Sequence, residues 1–243
     1  MKNILLIGLL LTTTVKADIL SVHCPLGCPV NPGSNDLIFA HHYALSNNSD
    51  TKFADWVAYE VDVINFGDSP GRKWKTDPLL EENETLEAAD YKKANSSSLK
   101  ADRGHQAPLA SFAGSRYWPE LNRLSNITPQ NKNLNQGPWK RLEDAVRAAT
   151  FYRHSLFVIT GPVYEGKILQ LPKADEPHRV PSGYYKIIYD IKGRAAIFFM
   201  QQTSKKKDDF CSKQKTLNFI QAKLTYSLPY LEFNNAILKR LKC

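Results

Sequence analysis

The segment Asp102, Arg103, Gly104, His105, Gln106, Ala107, Pro108 sets an arginine two residues from a histidine, beside a glycine. In an extended backbone residues i and i+2 share a face, so Arg103 and His105 would project to the same side. A guanidinium grips phosphate oxygens, and an imidazole accepts a proton from water near neutral pH. Hydrolysis of a phosphodiester uses both. The pair alone has moderate specificity, because a single histidine is more often packed than catalytic. Downstream, Asn135 precedes Gly137, Pro138 and Trp139, and Glu143 and Arg147 follow in a run with helical periodicity. Glu143 lies eight residues past Asn135, a little over two helical turns, and can face the same side. The amide of Asn135 suits either a hard cation or a helix N-cap, and Glu143 suits either the site or an i,i+4 pair with Arg147. Local sequence leaves both alternatives open.

These residues need a scaffold, and the pattern around them predicts an α+β fold. Residues 38–45 and 53–63 read as strands, the second alternating at Phe53, Asp55, Val57 and Tyr59, with a polar turn at Asn47, Asn48, Ser49, Asp50. From 66 to 100 the composition shifts to Gly, Pro, Ser, Asn and charge, a long surface excursion with a short helix expected near Glu84 to Tyr91. Pro138 opens a helix whose Leu142, Ala145, Val146 and Ala149 recur at helical spacing. Residues 156–160, 184–191 and 195–201 are β-branched and aromatic runs between Gly and Pro. Without βαβ alternation, the architecture expected is a central antiparallel sheet flanked by helices.

The 243-residue chain, 42% hydrophobic and 23% charged, falls outside the disordered, collagen-like and coiled-coil classes. Met1 and Lys2 precede an apolar run from Ile4 to Leu11 and the small-ended tripeptide Val15, Lys16, Ala17, which reads as a signal peptide over 1–17. The run is too short to span a bilayer. A single domain over 18–243, secreted and without stable membrane association, is therefore expected. Removing Lys2 and Lys16 lowers the net charge from +8 to +6. That excess suits a polyanion, whether nucleic acid, acidic glycan or anionic lipid, although Lys205, Lys206 and Lys207 read as a solvated loop.

Cys24, Cys28, Cys211 and Cys243 permit three pairings, and their layout in an exported chain favours Cys24 with Cys28 and Cys211 with Cys243. Zinc held by His23, Cys24 and Cys28 is the competing reading, but no second short-spaced pair completes its tetrahedron. His41 and His42 are expected to be structural, since adjacent strand residues face opposite ways. Trp56, Trp74, Trp118 and Trp139 could stack on bases, with packing the commoner use. Asn47, Asn83, Asn95 and Asn126 carry sequons.

Three ordered runs, DRGHQAPLASFA at 102–113, SNITPQ at 125–130 and LNQGPWKRLE at 134–143, resemble the DNA/RNA non-specific endonuclease family, sugar-non-specific nucleases of the ββα-metal (His-Me finger) fold. Supporting similarity runs through FADWVAY at 53–59, WKTDP at 74–78, TGPVYE at 160–165 and the Cys211 region, almost all of the mature chain. The resemblance implies that His105 is the general base and that Asn135 is the one direct protein ligand to Mg2+, with Mn2+ as a substitute. By the same resemblance Glu143 orients water on the metal, Arg103 contacts the phosphate, and Arg72 and Arg147 handle substrate and transition-state charge. It also implies the Cys24–Cys28 and Cys211–Cys243 pairings of secreted bacterial members. The activity implied is cleavage of DNA and RNA with little sequence or sugar preference, leaving 5′-phosphates; a homodimer and a proteinaceous inhibitor remain open as partners. The rivals are a silent nucleic-acid-binding relative, against which the intact His105 and Asn135 count, and a basic glycan- or membrane-binding protein, which leaves the motifs unexplained.

Overall fold

The computed structural model describes residues 19–31, 33–68, 70–151, 154–166 and 170–243. The expected signal peptide, 1–17, lies outside them. In chain order the elements are β1 (Asp36–Phe39), β2 (Ala44–Asn48), β3 (Phe53–Val61), β4 (Ala101–His105), β5 (Ile127–Asn131), the helical turn α1 (Lys132–Leu134), α2 (Lys140–Ala149), β6 (Leu156–Val163), β7 (Gly183–Tyr189), β8 (Arg194–Gln201), α3 (Leu217–Gln221), β9 (Glu232–Phe233) and α4 (Asn235–Arg240). Seven strands form one sheet in the order β1-β2-β3-β6-β7-β8-β9, and β4 pairs with β5 in a separate ribbon. All neighbours in the large sheet are antiparallel except β8 and β9. Among the described residues no helix is long and apolar enough to cross a membrane.

The central strands are buried on both faces, which explains why β7 and β8 read as nearly continuous apolar runs. On β3, Val57, Tyr59 and Val61 face the layer that contains α2, whereas Trp56 and Ala58 face the layer of Cys24, Ile220 and Tyr226. The same period of two divides β7: Tyr184 and Ile188 point toward α2, and Tyr185, Ile187 and Tyr189 point away. Asp55 is buried but satisfied, its carboxylate accepting from the amides of Asn31, Asn35 and Asn48.

Three details differ from the sequence reading. The strand expected over 38–45 is two strands, because Ala40 N–H donates to Tyr43 O at 2.8 Å and turns the chain without glycine or proline. The helix expected near Glu84 to Tyr91 is a 3-10 turn at Glu82–Glu84 followed by turns. There the Asp90 carboxylate accepts from Glu87 N–H at 2.6 Å, a local bond that competes with helical pairing. Finally, Pro138 does not open the regular helix but sits within a widened turn, Asn135–Trp139, ahead of it. Beyond that turn α2 buries Leu142, Val146 and Ala149 against the sheet.

Candidate active site

The ββα unit is β4, β5 and the α1–α2 segment. Pairing sets His105 opposite Ile127, Gly104 opposite Thr128, and Arg103 opposite Pro129. Gly104 is required by close approach: a Cβ there would lie 2.6 Å from Gln130 Cβ. The ribbon is fastened to the large sheet through Pro129 O, which accepts from Tyr184 OH at 3.0 Å and Gln202 Nε2 at 2.7 Å. After β5, the Asn131 side chain accepts from Asn133 N–H and caps α1. The chain then passes through Gly137, whose φ −110°, ψ −118° breaks the helix. The segment around Lys206 packs so closely there that a Cβ at Gly137 would lie 2.7 Å from Lys206 O.

This path brings Arg72, Arg103, His105, Asn135, Glu143 and Arg147 to the wall of one cavity of about 680 Å³. Glu143 and Arg147, four apart on α2, share the face that looks into it. Asn135 is not the N-cap of α2, a place taken by Trp139. Its Nδ2 donates to Asp102 Oδ2 at 3.1 Å, and Gln136 Nε2 donates to the same oxygen at 2.8 Å. With the amide nitrogen so engaged, the oxygen of Asn135 is the atom left to accept or ligate.

His105 Nε2 lies 3.0 Å from Asn122 Oδ1. An amide oxygen only accepts, so Nε2 carries the proton and Nδ1 keeps its lone pair. Burial pushes the imidazole down to about 4; the Asn122 bond opposes that shift and the Arg72 charge adds to it. The Trp74 ring lies against His105, with centroids 5.3 Å apart. Arg103 is held between aromatic rings, its guanidinium carbon 5.4 Å from the Trp74 centroid and 5.2 Å from that of Tyr91, while NH2 donates to Ala88 O at 2.8 Å. Burial raises the Glu143 carboxyl, while Lys186 and then Arg147 pull it back down. Arg147 also pairs with Asp144.

A base with a free lone pair, an oxygen donor aimed by a carboxylate, and three arginines around one polar cavity suit hydrolysis of a phosphate ester beside a hard divalent cation. The family profile described as DNA/RNA non-specific endonuclease matches residues 23–235. The chain belongs to the DNA/RNA non-specific endonuclease family.

Membership makes it a hydrolytic endonuclease of a metal-dependent family. The "Nuclease" of Serratia marcescens is 44% identical over 228 residues, covering 90% of this chain and 85% of that protein. Human mitochondrial Endonuclease G is 29% identical over 137 residues, 55% of this chain and 44% of that protein. Among solved structures, the chain resembles one from an EndoG/EndoGI complex with a TM-score of 0.70 and 20% identity, covering 84% of this chain and 88% of that one. That likeness carries the α+β nuclease fold.

Elsewhere in this endonuclease, Cys24–Cys28 and Cys211–Cys243 are both disulfides, with Cα separations of 5.1 and 5.4 Å, and among the described residues no cysteine is free. The zinc reading falls with them, and His23 Nε2 instead contacts Ala40 O at 3.0 Å. On the chain-entropy account the longer bridge stabilises the fold by about 4 kcal/mol. His41 stacks on Tyr117 and His42 on Phe112, a structural use of both. Trp56 and Trp139 are buried, whereas Trp74 lines the cavity. The sequons at Asn47 and Asn126 are buried and bonded to the main chain, inaccessible to a glycan. Asp102 and Asn122, which hold Asn135 and His105, received no role from the sequence. Asp102 stood inside a recognised motif; Asn122 had no local signal.

Proposed function

We propose that the protein is an exported nuclease that hydrolyses both DNA and RNA through external water, in a single domain over 18–243, with Mg2+ as its metal. The observation that carries the reading is the convergence of Arg72, Arg103, His105, Asn135, Glu143 and Arg147 on one cavity. In this reading the Asn135 oxygen, aimed by Asp102, would hold the cation. A bound divalent cation supplies positive charge to the phosphate and to the departing oxygen. The hard oxygen donor and polar surroundings suit magnesium, which keeps most of its own water shell.

His105 Nδ1 accepts the proton of the attacking water, while the Nε2–H bond to Asn122 fixes the ring plane. Glu143, on the α2 wall of the cavity, orients water. Arg72 and Arg147 offset charge growing on the nonbridging oxygens, and Arg103, clamped by Trp74 and Tyr91, presents a fixed guanidinium to the substrate phosphate. The water oxygen bonds to phosphorus as the P–O3′ bond breaks, and the departing oxygen takes a proton from solvent, leaving a 3′-hydroxyl and a 5′-phosphate. The attack makes no use of the ribose 2′-hydroxyl, so both sugars serve. With Arg72, Arg103 and Arg147 assigned to phosphates and not to base edges, sequence preference is slight.

Supercoiled plasmid and single-stranded RNA, each incubated with the protein plus magnesium or plus chelator, test the reading. Both polymers should be degraded only with metal, to 5′-phosphorylated products of mixed end sequence. Cleavage confined to one polymer, or to one short defined sequence, would sink it. The export boundary rests on the leader pattern, and N-terminal sequencing of protein recovered outside the producing cell should begin near Asp18. A retained Met1 would contradict cleavage.

A further inference from the structure

Lys186 occupies the middle of β7, on the face that looks toward α2, and is fully buried. Its Nζ donates to Tyr59 OH at 3.0 Å, lies 4.5 Å from the Trp139 ring centroid, and stands 3.7 Å from Glu143 Oε1. The Glu143 side chain retains 14% exposure, toward the cavity. Oε1 accepts no hydrogen bond. The ammonium is therefore the one cation that reaches this carboxylate from the sheet side, among the described residues.

Such a pair is a poor device for stability. Desolvating two charges generally cancels the gain from their attraction, and apolar residues of similar volume serve a core as well or better. A lysine here needs another reason, and the reason is at hand. We infer that Lys186 is a positioning residue for the nuclease reaction: from beneath the site its ammonium holds Glu143 as a carboxylate, with one oxygen drawn to the sheet and the other presented to the cavity. The inference rests on the role given to Glu143 above.

The surroundings agree. The charged groups facing Glu143 are Lys186 from β7 and Lys140, Asp144 and Arg147 from its own helix; His105 and Arg72 share the cavity. Tyr59 from β3 faces Lys186. Burial raises the Glu143 carboxyl, and Lys186 is the largest influence opposing it. Burial pushes the lysine down to about 8, with Glu143 holding it up, so at neutral pH each charge sustains the other. Deleting the ammonium leaves the carboxyl to take a proton, at a cost to activity.

The test is kinetic, on the full-length protein at saturating magnesium. Lys186→Met and Lys186→Gln remove the charge, the second keeping a polar tip for Tyr59; Lys186→Arg keeps the charge. The neutral variants should lower kcat at pH 7 by about 10-fold or more, with KM within about 2-fold. Their activity should recover toward alkaline pH, the acidic limb moving up by about one unit or more because the carboxyl now ionises later. Lys186→Arg should keep the limb where the parent has it. In a Glu143→Gln background the neutral substitutions should cost about 2-fold or less, since no carboxylate remains to be held. Equal losses in both backgrounds, or an unmoved limb, would overturn the proposal. Full activity in Glu143→Gln overturns it together with the role of Glu143. An inactive Glu143→Gln beside silent Lys186 variants overturns the lysine's role alone. Where Lys186→Met fails to fold, Lys186→Gln decides between the same outcomes.

Discussion

Replacing His105 by alanine is expected to lower turnover by about 10²-fold or more, with magnesium and substrate still bound as in the parent. The change removes the Nδ1 lone pair but leaves the Asn135 oxygen, its Asp102 support and the arginines untouched. The wild-type pH profile belongs to the same prediction. Only the neutral imidazole accepts a proton, and burial keeps His105 neutral down to about pH 4. Rate therefore falls through His105 only as pH drops toward that value. Between pH 6 and 8 this residue adds no limb, whereas an unperturbed histidine would titrate at about 6.5. An acidic limb in that range is then not the work of His105. Turnover in His105→Ala equal to the parent's, or a wild-type rate falling steadily from pH 5 to pH 8, would contradict the assignment.

Asn135→Ala fails differently. It removes the one side-chain oxygen we assign to the cation, so the magnesium concentration for half-maximal rate should rise by about 10-fold or more, with activity partly restored by added metal. Thermal melts should barely move. The Asn135 side chain caps no helix, since α1 is N-capped by Asn131 and closed by the backbone of Asn135, and its loss frees only an Asp102 carboxylate that still accepts from Gln136 and Asn95. Titration calorimetry separates the two variants: metal binding persists in His105→Ala and weakens in Asn135→Ala. Parent-like magnesium affinity in both would remove Asn135 from its role.

Much of this was legible in the sequence because it is local. Leu142, Val146 and Ala149 recur at helical spacing, and α2 buries those residues. Arg103 and His105 are two apart and share a face because β4 is extended. What escaped notice depends on chain segments far apart in sequence. Asn122 meets His105 across 17 residues and Asp102 meets Asn135 across 33, and neither leaves a periodic trace. The strand β5 contains Pro129, which argues against a strand except at an edge, and a two-stranded ribbon is all edge. The parallel β9 is two exposed residues long, too short for any pattern. Lys186 would be expected at a surface by its type, and only the packing of Tyr59, Trp139 and Glu143 around it explains its burial.

Five of the six candidate residues lie between Arg103 and Arg147, on a ribbon and helix that are consecutive in the chain; Arg72 alone comes from elsewhere. The chemistry is thus a cassette and the large sheet its chassis; Pro129 O, Asn131 N–H, the apolar side of α2 and Lys186 are among their joints. Inheritance can act on the two parts at different speeds. Strands of the chassis can drift in sequence so long as they offer an apolar bed and keep those joints, and the internal geometry of the cassette stays as it was. A fold match at 20% identity is the kind of divergence such a division permits.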